Sequence, residues 1–278
     1  MNILIYSLNP DGTGALLLQR EASAAGHSAK IVTTYEDAMA AFEKESVDIF
    51  IPRFSHESYE IAANICEMAM AKGIFVTVTP EGIRTSFDKA LTYQSFVANG
   101  IPTPPSMKVS QLPVILDEAL RLPVILKPLD ENRGRGICVA ETDDELQEKS
   151  AELLETYGFC IAQNFISESS GCDIRVFVIG DAVVACMERV GAPGSVLSNI
   201  AQGGHASPVE ISNHENTIAI QASKVCGAEF SGVDIIRSDK GSLVLEVNTS
   251  PGFKIADICK VPVARLVIDH LINRRKNG

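Results

Sequence analysis

The sequence predicts an α/β layer followed by α+β structure, in two or three domains within 278 residues. Three observations indicate this. The first third alternates short apolar strands with helices of about 10–15 residues, which is typical of βαβ units and a parallel sheet. A proline-rich junction follows at residues 102–105. Beyond Gly158 the chain consists mainly of strands joined by short turns, which indicates an antiparallel sheet.

The first two domains are predicted at residues 1–85 and 86–163. A helix from Ser86 to Gly100 carries Asp88 and Lys89 and ends before prolines that cannot continue it. The pattern predicts strands over residues 2–7, 29–33, 47–51, 74–78, 124–127 and 137–140, and helices ending near residue 25 and over residues 35–44, 56–72, 111–121 and 143–155.

The third domain is predicted at residues 164–278. Its segment Asp239-Lys240-Gly241 is typical of a three-residue hairpin loop, which pairs Ser238 with Ser242. We predict strands over residues 159–165, 173–179, 182–188, 205–210, 232–237 and 243–247, and helices over residues 213–227 and 261–274.

Composition excludes several classes of protein. The net charge of −11 disfavours nonspecific nucleic-acid binding, which needs a basic face. No apolar run approaches the ~20 residues that cross a bilayer, and the N-terminus resembles a strand more than a signal peptide. The seven cysteines form no C-x-x-C pair, so we expect reduced thiols in a cytoplasmic protein. The five histidines include no spaced pair, which argues against zinc.

A cluster of oxygen ligands near the C-terminus is the sharpest functional signal. The predicted hairpin places Asp234 opposite Glu246, and Asn248 lies two residues further on the same face. Directly opposed carboxylates repel each other, so a cation between them is expected, and oxygen-only ligands suit Mg²⁺. The alternative is an exposed acidic hairpin. It is disfavoured because Glu246 follows the apolar run 243–245.

Four basic residues are candidates for binding anions. Lys127 ends a buried strand before a glycine-containing loop and is suited to gripping phosphate, although alone it also fits an ordinary hairpin with a basic tip. Lys89 alone resembles a solvated helix residue. Arg175 and Arg189 are expected to face the magnesium cluster and to bind a carboxylate, with a surface ion pair as the alternative. The polar, glycine-rich segment 191–204 indicates a functional loop.

In their order these features resemble the RimK-like branch of the ATP-grasp superfamily over nearly the whole chain. The terminal motif is the most specific part of the resemblance. The matching segments are Asp88-Lys89, Ile101-Pro102, residues 124–127, Gly134-x-Gly136, residues 163–166, residues 171–175, Ser198-Asn199, Gly203-Gly204, residues 232–234 and Glu246-Val247-Asn248-x-Ser250-Pro251-Gly252.

The resemblance implies an ATP-grasp fold, with an N-terminal parallel α/β domain, a small central α+β domain and a C-terminal antiparallel-sheet domain that clasp ATP. It also implies a role for each matching residue. Lys89 and Lys127 would hold the phosphates, and Asn164 and Phe165 would border adenine. Asp173 would reach the ribose side, while Ser198 and Asn199 would lie near the nucleotide. Asp234, Glu246 and Asn248 would bind Mg²⁺ or Mn²⁺.

The activity implied is ATP-dependent joining of a carboxylate to an amine through an acyl phosphate, with glutamate as one such amino acid. Arg175 or Arg189 would hold the carboxylate, and the loop after Lys127 would close over it. The family is often dimeric or tetrameric, which implies a homodimer or homotetramer. The alternatives are an ATP-grasp kinase that phosphorylates a hydroxyl and an inactive nucleotide-binding homologue.

The chain departs from the family pattern in two regions. Asn164-Phe165 replaces a common Glu-Tyr pair at the hinge, where backbone and apolar contacts dominate. Family members often have Arg where Leu197 and Gln202 stand, and Gly where Glu131 stands. The missing arginines lie near the expected carboxylate, so the acidic substrate of the name-giving enzyme is not implied for this chain.

Overall fold

The computed structural model describes residues 1–128, 136–196, 198 and 203–277. Its first layer is the predicted parallel sheet, with strand order β2-β1-β3-β4. Because β1 lies between β2 and β3, the chain connections reverse direction between β1 and β3. The elements are β1 (Asn2–Ser7), α1 (Thr13–Ala24), β2 (Ser28–Val32), α2 (Tyr35–Lys44), β3 (Ile49–Arg53), α3 (Tyr59–Ala71), β4 (Phe75–Val76) and α4 (Pro80–Phe87).

The second layer is a small antiparallel sheet of order β5-β8-β6-β7, covered on one face by a helix. Side chains alternate along its strands: Val124 and Leu126 pack in the apolar cluster that contains Leu146 and Leu153 of that helix. Lys127, which follows Leu126, therefore lies on the opposite face. The elements are α5 (Lys89–Ala98), β5 (Ser106–Val109), β6 (Val124–Pro128), β7 (Cys138–Ala140), α6 (Asp143–Tyr157) and β8 (Cys160–Asn164).

Two helix predictions in this part of the chain are wrong. The helix predicted from Ser86 to Gly100 is divided, because the Asp88 side chain caps a new helix that begins at Lys89. The helix predicted over residues 111–121 is absent. Its backbone bonds instead to other elements, since Val114 N and O bond to the Gln147 side chain on α6 at 2.7 and 2.9 Å. Tertiary contacts have overridden local helix propensity here.

The third layer is the predicted antiparallel sheet, of order β11-β10-β9-β12-β13. Its elements are β9 (Cys172–Ile179), β10 (Ala182–Val190), β11 (His205–Pro208), α7 (Asn213–Val225), β12 (Phe230–Ser238), β13 (Gly241–Asn248), α8 (Lys254–Cys259) and α9 (Val263–Asn277), after a short 3₁₀ turn at Ser167–Ser169. The division into domains at residues 85 and 163 stays a prediction.

The two faces of β9 pack against different parts of the protein. Val176 and Val178 pack in the apolar cluster that includes α7. Phe177 and Ile179 point the other way and share a core with β1, β3 and α9 of the chain. Arg175 precedes them on this second face, so the first layer covers the apolar part of the face and Arg175 lies at its polar end.

The hairpin between β12 and β13 pairs Asp234 with Glu246, as predicted, but by another route. Ser238 pairs with Gly241, so the loop has two residues and the predicted Ser238–Ser242 pairing is wrong. A register shift after Asp234 restores the alignment, because Ile235 pairs with Val244. One additional residue on β13 therefore compensates for the shorter loop, as in a β-bulge.

No helix in the described part of the chain is long and apolar enough to span a bilayer. All seven cysteines are free in this structure. Burial raises the pKa of the Cys226 thiol to about 12.

Candidate active site

Three charged residues lie side by side across β9, β12 and β13. The strand register places Arg175 opposite Asp234, and Asp234 opposite Glu246. Arg175 forms a two-point ion pair with Asp234, in which Nη2 lies 2.8 Å from Oδ2 and Nε contacts Oδ1. Both side chains are largely enclosed, at 14% and 5% exposure. The repulsion expected between the paired carboxylates is thus offset by an arginine from the neighbouring strand.

A second arginine, on β10, connects β10 and β9 to this cluster. Arg189 lies opposite Asp173, and its Nε and Nη2 are each 2.6 Å from an oxygen of that carboxylate. Nη2 also donates to Asp234 Oδ2 at 2.7 Å, and the Ser198 hydroxyl donates to Asp173. The prediction that both arginines face the carboxylate cluster is confirmed, and both ion pairs are enclosed. Contact of Asp173 and Ser198 with a nucleotide stays a prediction.

The two arginines and two aspartates form a charge-balanced group. Burial opposes ionisation of Asp234, but Arg175 and Arg189 outweigh it and hold the pKa of Asp234 at about 2. Burial and the charge of Asp234 raise the pKa of Asp173. Burial lowers the pKa of Arg189, but the two carboxylates outweigh it and raise that pKa. Asp234 therefore stays ionised at neutral pH and holds both guanidinium groups in place.

Glu246 and Asn248 lie beside the cluster on the edge strand β13. Glu246 is open to solvent. Its pKa is nevertheless raised, by the protein walls around it and then by Asp234, against the effect of three nearby cations. Asn248 accepts a hydrogen bond from Ser250 N through Oδ1 at 2.9 Å. Glu246 is thus accessible to a ligand while protein atoms surround it, and the space between Glu246 and the central sheet is called the cleft below.

Lys127 points toward the same cleft from the central sheet. Its Nζ donates to Gln163 Oε1 at 2.7 Å, and Gln163 Nε2 donates to Ser106 Oγ at 2.8 Å. Burial lowers the pKa of Lys127 to about 8, an effect that Glu246 opposes and Lys89 reinforces. The central sheet therefore presents a partly desolvated cation toward the acidic edge of the third layer.

Lys89 is the first residue of α5, directly after the capping side chain of Asp88. Its charge acts on Lys127 and on Glu246. Lys89 therefore lies near both residues, and its contact with a phosphate stays a prediction. Together the two lysines and Glu246 carry one net positive charge.

Asn164 and Phe165 lie at the end of β8, where both form hydrogen bonds to the segment that precedes β6. Asn164 Oδ1 accepts from Arg121 N at 2.8 Å, and its Nδ2 donates to Ala119 O at 3.2 Å. Phe165 N donates to Pro123 O at 3.1 Å. These bonds attach the irregular segment before β6 to β8. Contact of Asn164 and Phe165 with adenine stays a prediction.

Several predicted residues lie outside the described residues. They are Asn199, the departures Glu131, Leu197 and Gln202, and most of the loop after Lys127, at residues 129–135. The predicted closure of that loop and the specificity expected near Leu197 stay predictions.

Sequence reasoning gave no role to Gln163 or Ser106, the two side chains behind Lys127. A signal was present, because Gln163 is a polar residue in the apolar strand β8. The register pairs Ile125 with Gln163 and Lys127 with Ile161, so Lys127 and Gln163 share a face as diagonal neighbours. Recognising this needed the pairing of β6 with β8, which local sequence does not provide.

The cleft fits a magnesium ion that arrives with a nucleotide. Among the described residues, no group of three or more His, Cys, Asp or Glu side chains forms a ready metal site. Mg²⁺ commonly uses one or two carboxylates and completes its shell with water and substrate phosphates. Glu246 can supply such a carboxylate without breaking an arginine pair, and Asn248 supplies an amide oxygen. Asp234 would have to release part of its contact with arginine.

Comparison with known proteins places the chain in a family. A family model described as the RimK-like ATP-grasp domain matches residues 86–271. A protein named "Probable alpha-L-glutamate ligase" from Haemophilus influenzae is 34% identical, covering 81% of this chain and 75% of the relative. A protein of the same name from Legionella pneumophila strain Corby is 31% identical over 99% of this chain and 97% of its own length.

Solved structures share the fold at lower sequence identity. D-alanine–D-alanine ligase from Bacillus anthracis superimposes with a TM-score of 0.74 at 16% identity, covering 99% of this chain and 97% of that one. The ATP-grasp ligase PsnB, in a complex with a precursor variant, Mg and ADP, gives a TM-score of 0.70 at 18% identity, covering 98% of each chain. The predicted ATP-grasp fold is confirmed.

Proposed function

Because the chain belongs to the RimK-like ATP-grasp family and is an ATP-grasp ligase, we propose that it joins glutamate to a carboxylate substrate through an acyl phosphate. ATP would phosphorylate the carboxylate, and the glutamate amine would displace phosphate to give an amide, ADP and inorganic phosphate. The names of two relatives support glutamate as the amino acid. The carboxylate partner is a small molecule, a peptide or a protein tail.

The observation that carries this proposal is the arrangement of charge across the cleft. Lys127 approaches from the central sheet and Lys89 lies at the start of α5, and both act electrostatically on Glu246 of the third layer. Transfer of a phosphoryl group depends mainly on positioning and on neutralising charge on its oxygens. The two lysines would bind phosphate oxygens, while Glu246 and Asn248 would hold Mg²⁺, with Mn²⁺ as an alternative ion. The metal, when bound, neutralises charge on the phosphates.

The arginine–aspartate group supplies the second half of the site. The ion pairs described above use Nε and Nη2 of Arg175, so Nη1 is the donor that Asp234 does not engage. That Nη1 lies over Gly232, 3.1 Å from the position of an ideal Cβ there. A substrate carboxylate would be bound by Arg175 or Arg189, which would also stabilise the oxyanion formed when the amine attacks. Asp234 and Asp173 keep both side chains fixed before substrate arrives.

The test is a phosphate-release assay with ATP, Mg²⁺, L-glutamate and a panel of carboxylates, with mass spectrometry of the products. The expected product is heavier than its carboxylate by glutamate less one water. Hydroxylamine in place of glutamate should trap the acyl phosphate as a hydroxamate. ADP formation without any amine, together with a stable phosphoester, would contradict the proposal and favour a kinase. The proposed homodimer or homotetramer is measured separately by light scattering.

A further inference from the structure

Arg53 is the last residue of β3, where the connections of the first sheet reverse direction. It lies opposite Ser7, the last residue of β1. In an open parallel sheet, ligands bind in the crevice beyond the carboxyl ends of the strands at such a reversal. Neither the sequence prediction nor the ligase site described above uses this position.

The Arg53 guanidinium lacks a compensating anion within the described ranges. Its Nη1 is enclosed and has no hydrogen-bond partner there, while its Nη2 donates to Pro251 O at 2.8 Å. The guanidinium carbon lies 5.3 Å from the ring centroid of Phe253. Burial lowers the pKa of Arg53 to about 10. An enclosed cation is costly unless an anion pairs with it, which indicates a place for a negatively charged ligand.

The first turn of α1 faces the same guanidinium. A Cβ atom built on Gly14 would lie only 3.1 Å from Arg53 Nη2, so glycine permits this close approach. The N-cap residue, Gly12, provides no side-chain acceptor to the helix. The start of this 12-residue helix favours a negative charge through its amide groups and dipole. Two separate sources of positive potential therefore meet in the crevice.

A single residue connects this crevice with the arginine–aspartate group. Pro251 accepts the hydrogen bond from Arg53 and also lies beside Gly232, where an ideal Cβ would be 3.2 Å from Pro251 Cβ. The same ideal Cβ would be 3.1 Å from Arg175 Nη1. Arg53 is thus separated from the proposed acyl site by the width of Pro251. This region is therefore within reach of a second, non-reacting carboxylate on a small substrate bound at the acyl site.

We propose that Arg53, with the first turn of α1, binds the α-carboxylate of the amino acid that supplies the amine. This inference rests on the proposed ligase function. In an α-amino acid one carbon separates the carboxylate from the nitrogen, so binding the carboxylate beside the acyl centre orients the amine for attack. An arginine–carboxylate pair provides direction as well as affinity. Because Nη1 is enclosed, entry of the carboxylate requires a small shift of the atoms that cover it.

The test compares L-glutamate with L-glutamate α-amide, which keeps the amine and the side chain and lacks only the α-carboxylate charge. The wild type should prefer L-glutamate in kcat/KM by on the order of 10- to 100-fold. Arg53→Met should reduce this preference to about threefold or less. It should raise KM for L-glutamate and leave KM for ATP unchanged. Arg53→Lys should retain part of the preference, because the charge remains.

A matched control is Arg84→Met in the same layer. Arg84 Nη1 is already paired with Glu67 Oε1 at 2.8 Å, so this variant should keep the wild-type preference. The inference would be overturned if Arg53→Met kept the wild-type preference, or if it lowered kcat/KM equally for L-glutamate and its α-amide. Arg53 would then serve only to hold Pro251 in place. Equal kcat/KM of the wild type for L-glutamate and L-glutamate α-amide would also overturn the inference. Absence of amide product with every donor contradicts the proposed function instead.

Discussion

Lys127 offers a quantitative test of the phosphate site, because its pKa of about 8 lies within reach of ordinary assays. Between pH 7.5 and pH 9 the protonated fraction of such a group falls from about three-quarters to about one-tenth. ATP phosphates are already fully ionised in this range, since the second phosphate pKa is ~6. If the charged lysine holds phosphate, ATP affinity should fall about eightfold, or ~1.2 kcal/mol.

The sign follows from linkage. Bound phosphate favours the charged form and raises the pKa of Lys127, so the complex holds more protons than the free protein above pH 8. Affinity is therefore greatest at lower pH and decreases as pH rises through about 8. At pH 9, binding of ATP should take up about 0.9 proton from the buffer.

Isothermal titration calorimetry in two buffers of different ionisation enthalpy measures this proton uptake directly. Lys127→Arg should bind ATP without the uptake, because a guanidinium keeps its charge at pH 9. Lys108→Arg, an exposed lysine of the same sheet that lies over the Phe159 ring, should keep the uptake. Constant affinity from pH 7.5 to pH 9 with no proton uptake would refute the assignment of Lys127 to phosphate.

Three further predictions concern the remaining charged and polar groups. Asp234→Ala removes the carboxylate partner of Arg175 and one of the two carboxylates that pair with Arg189, so it should cost about 3 kcal/mol of unfolding free energy in urea. Asp181→Ala, at a side chain that is 81% exposed, should leave the unfolding free energy nearly unchanged. Glu246→Gln should raise the Mg²⁺ concentration for half-maximal activity at least about tenfold. The wild-type requirement should rise as pH falls through the raised pKa of Glu246, and unchanged Mg²⁺ dependence in Glu246→Gln would contradict its role. Gln163→Leu removes the acceptor of Lys127 and should raise KM for ATP about three- to tenfold with little change in kcat, and an unchanged KM would show that Gln163 has no part in phosphate binding.

Sequence reasoning succeeded where a local pattern determines the structure. Alternation of strands and helices predicts the parallel layer, and two strands flanking a turn predict the pairing of Asp234 with Glu246. The loop prediction failed because a β-bulge compensates for one residue, and a bulge of this kind leaves no clear sequence signal. The predicted pairing of Asp234 with Glu246 is nevertheless correct, because the loop is one residue shorter than predicted and the bulge adds one residue on β13.

The cation expected beside Asp234 and Glu246 shows what a local sequence pattern cannot predict, namely a partner from a strand that is distant in sequence. Opposed like charges predict a cation, and the sequence suggested magnesium. The structure first supplies Arg175, from a strand that is distant in sequence and adjacent only after the sheet forms. The helix predicted over residues 111–121 failed for a related reason. Its hydrogen-bond partners, Gln147 and Asn164, belong to later elements.

Transfer of an oxygen label tests the central claim most directly. A carboxylate labelled with ¹⁸O is incubated with the wild type, ATP, Mg²⁺ and L-glutamate, and the released phosphate is analysed by mass spectrometry. Reaction through an acyl phosphate predicts one ¹⁸O in phosphate for each amide formed, and no label transfer from Glu246→Gln at limiting Mg²⁺. Unlabelled phosphate, or ADP release that is independent of the amine, would contradict the account.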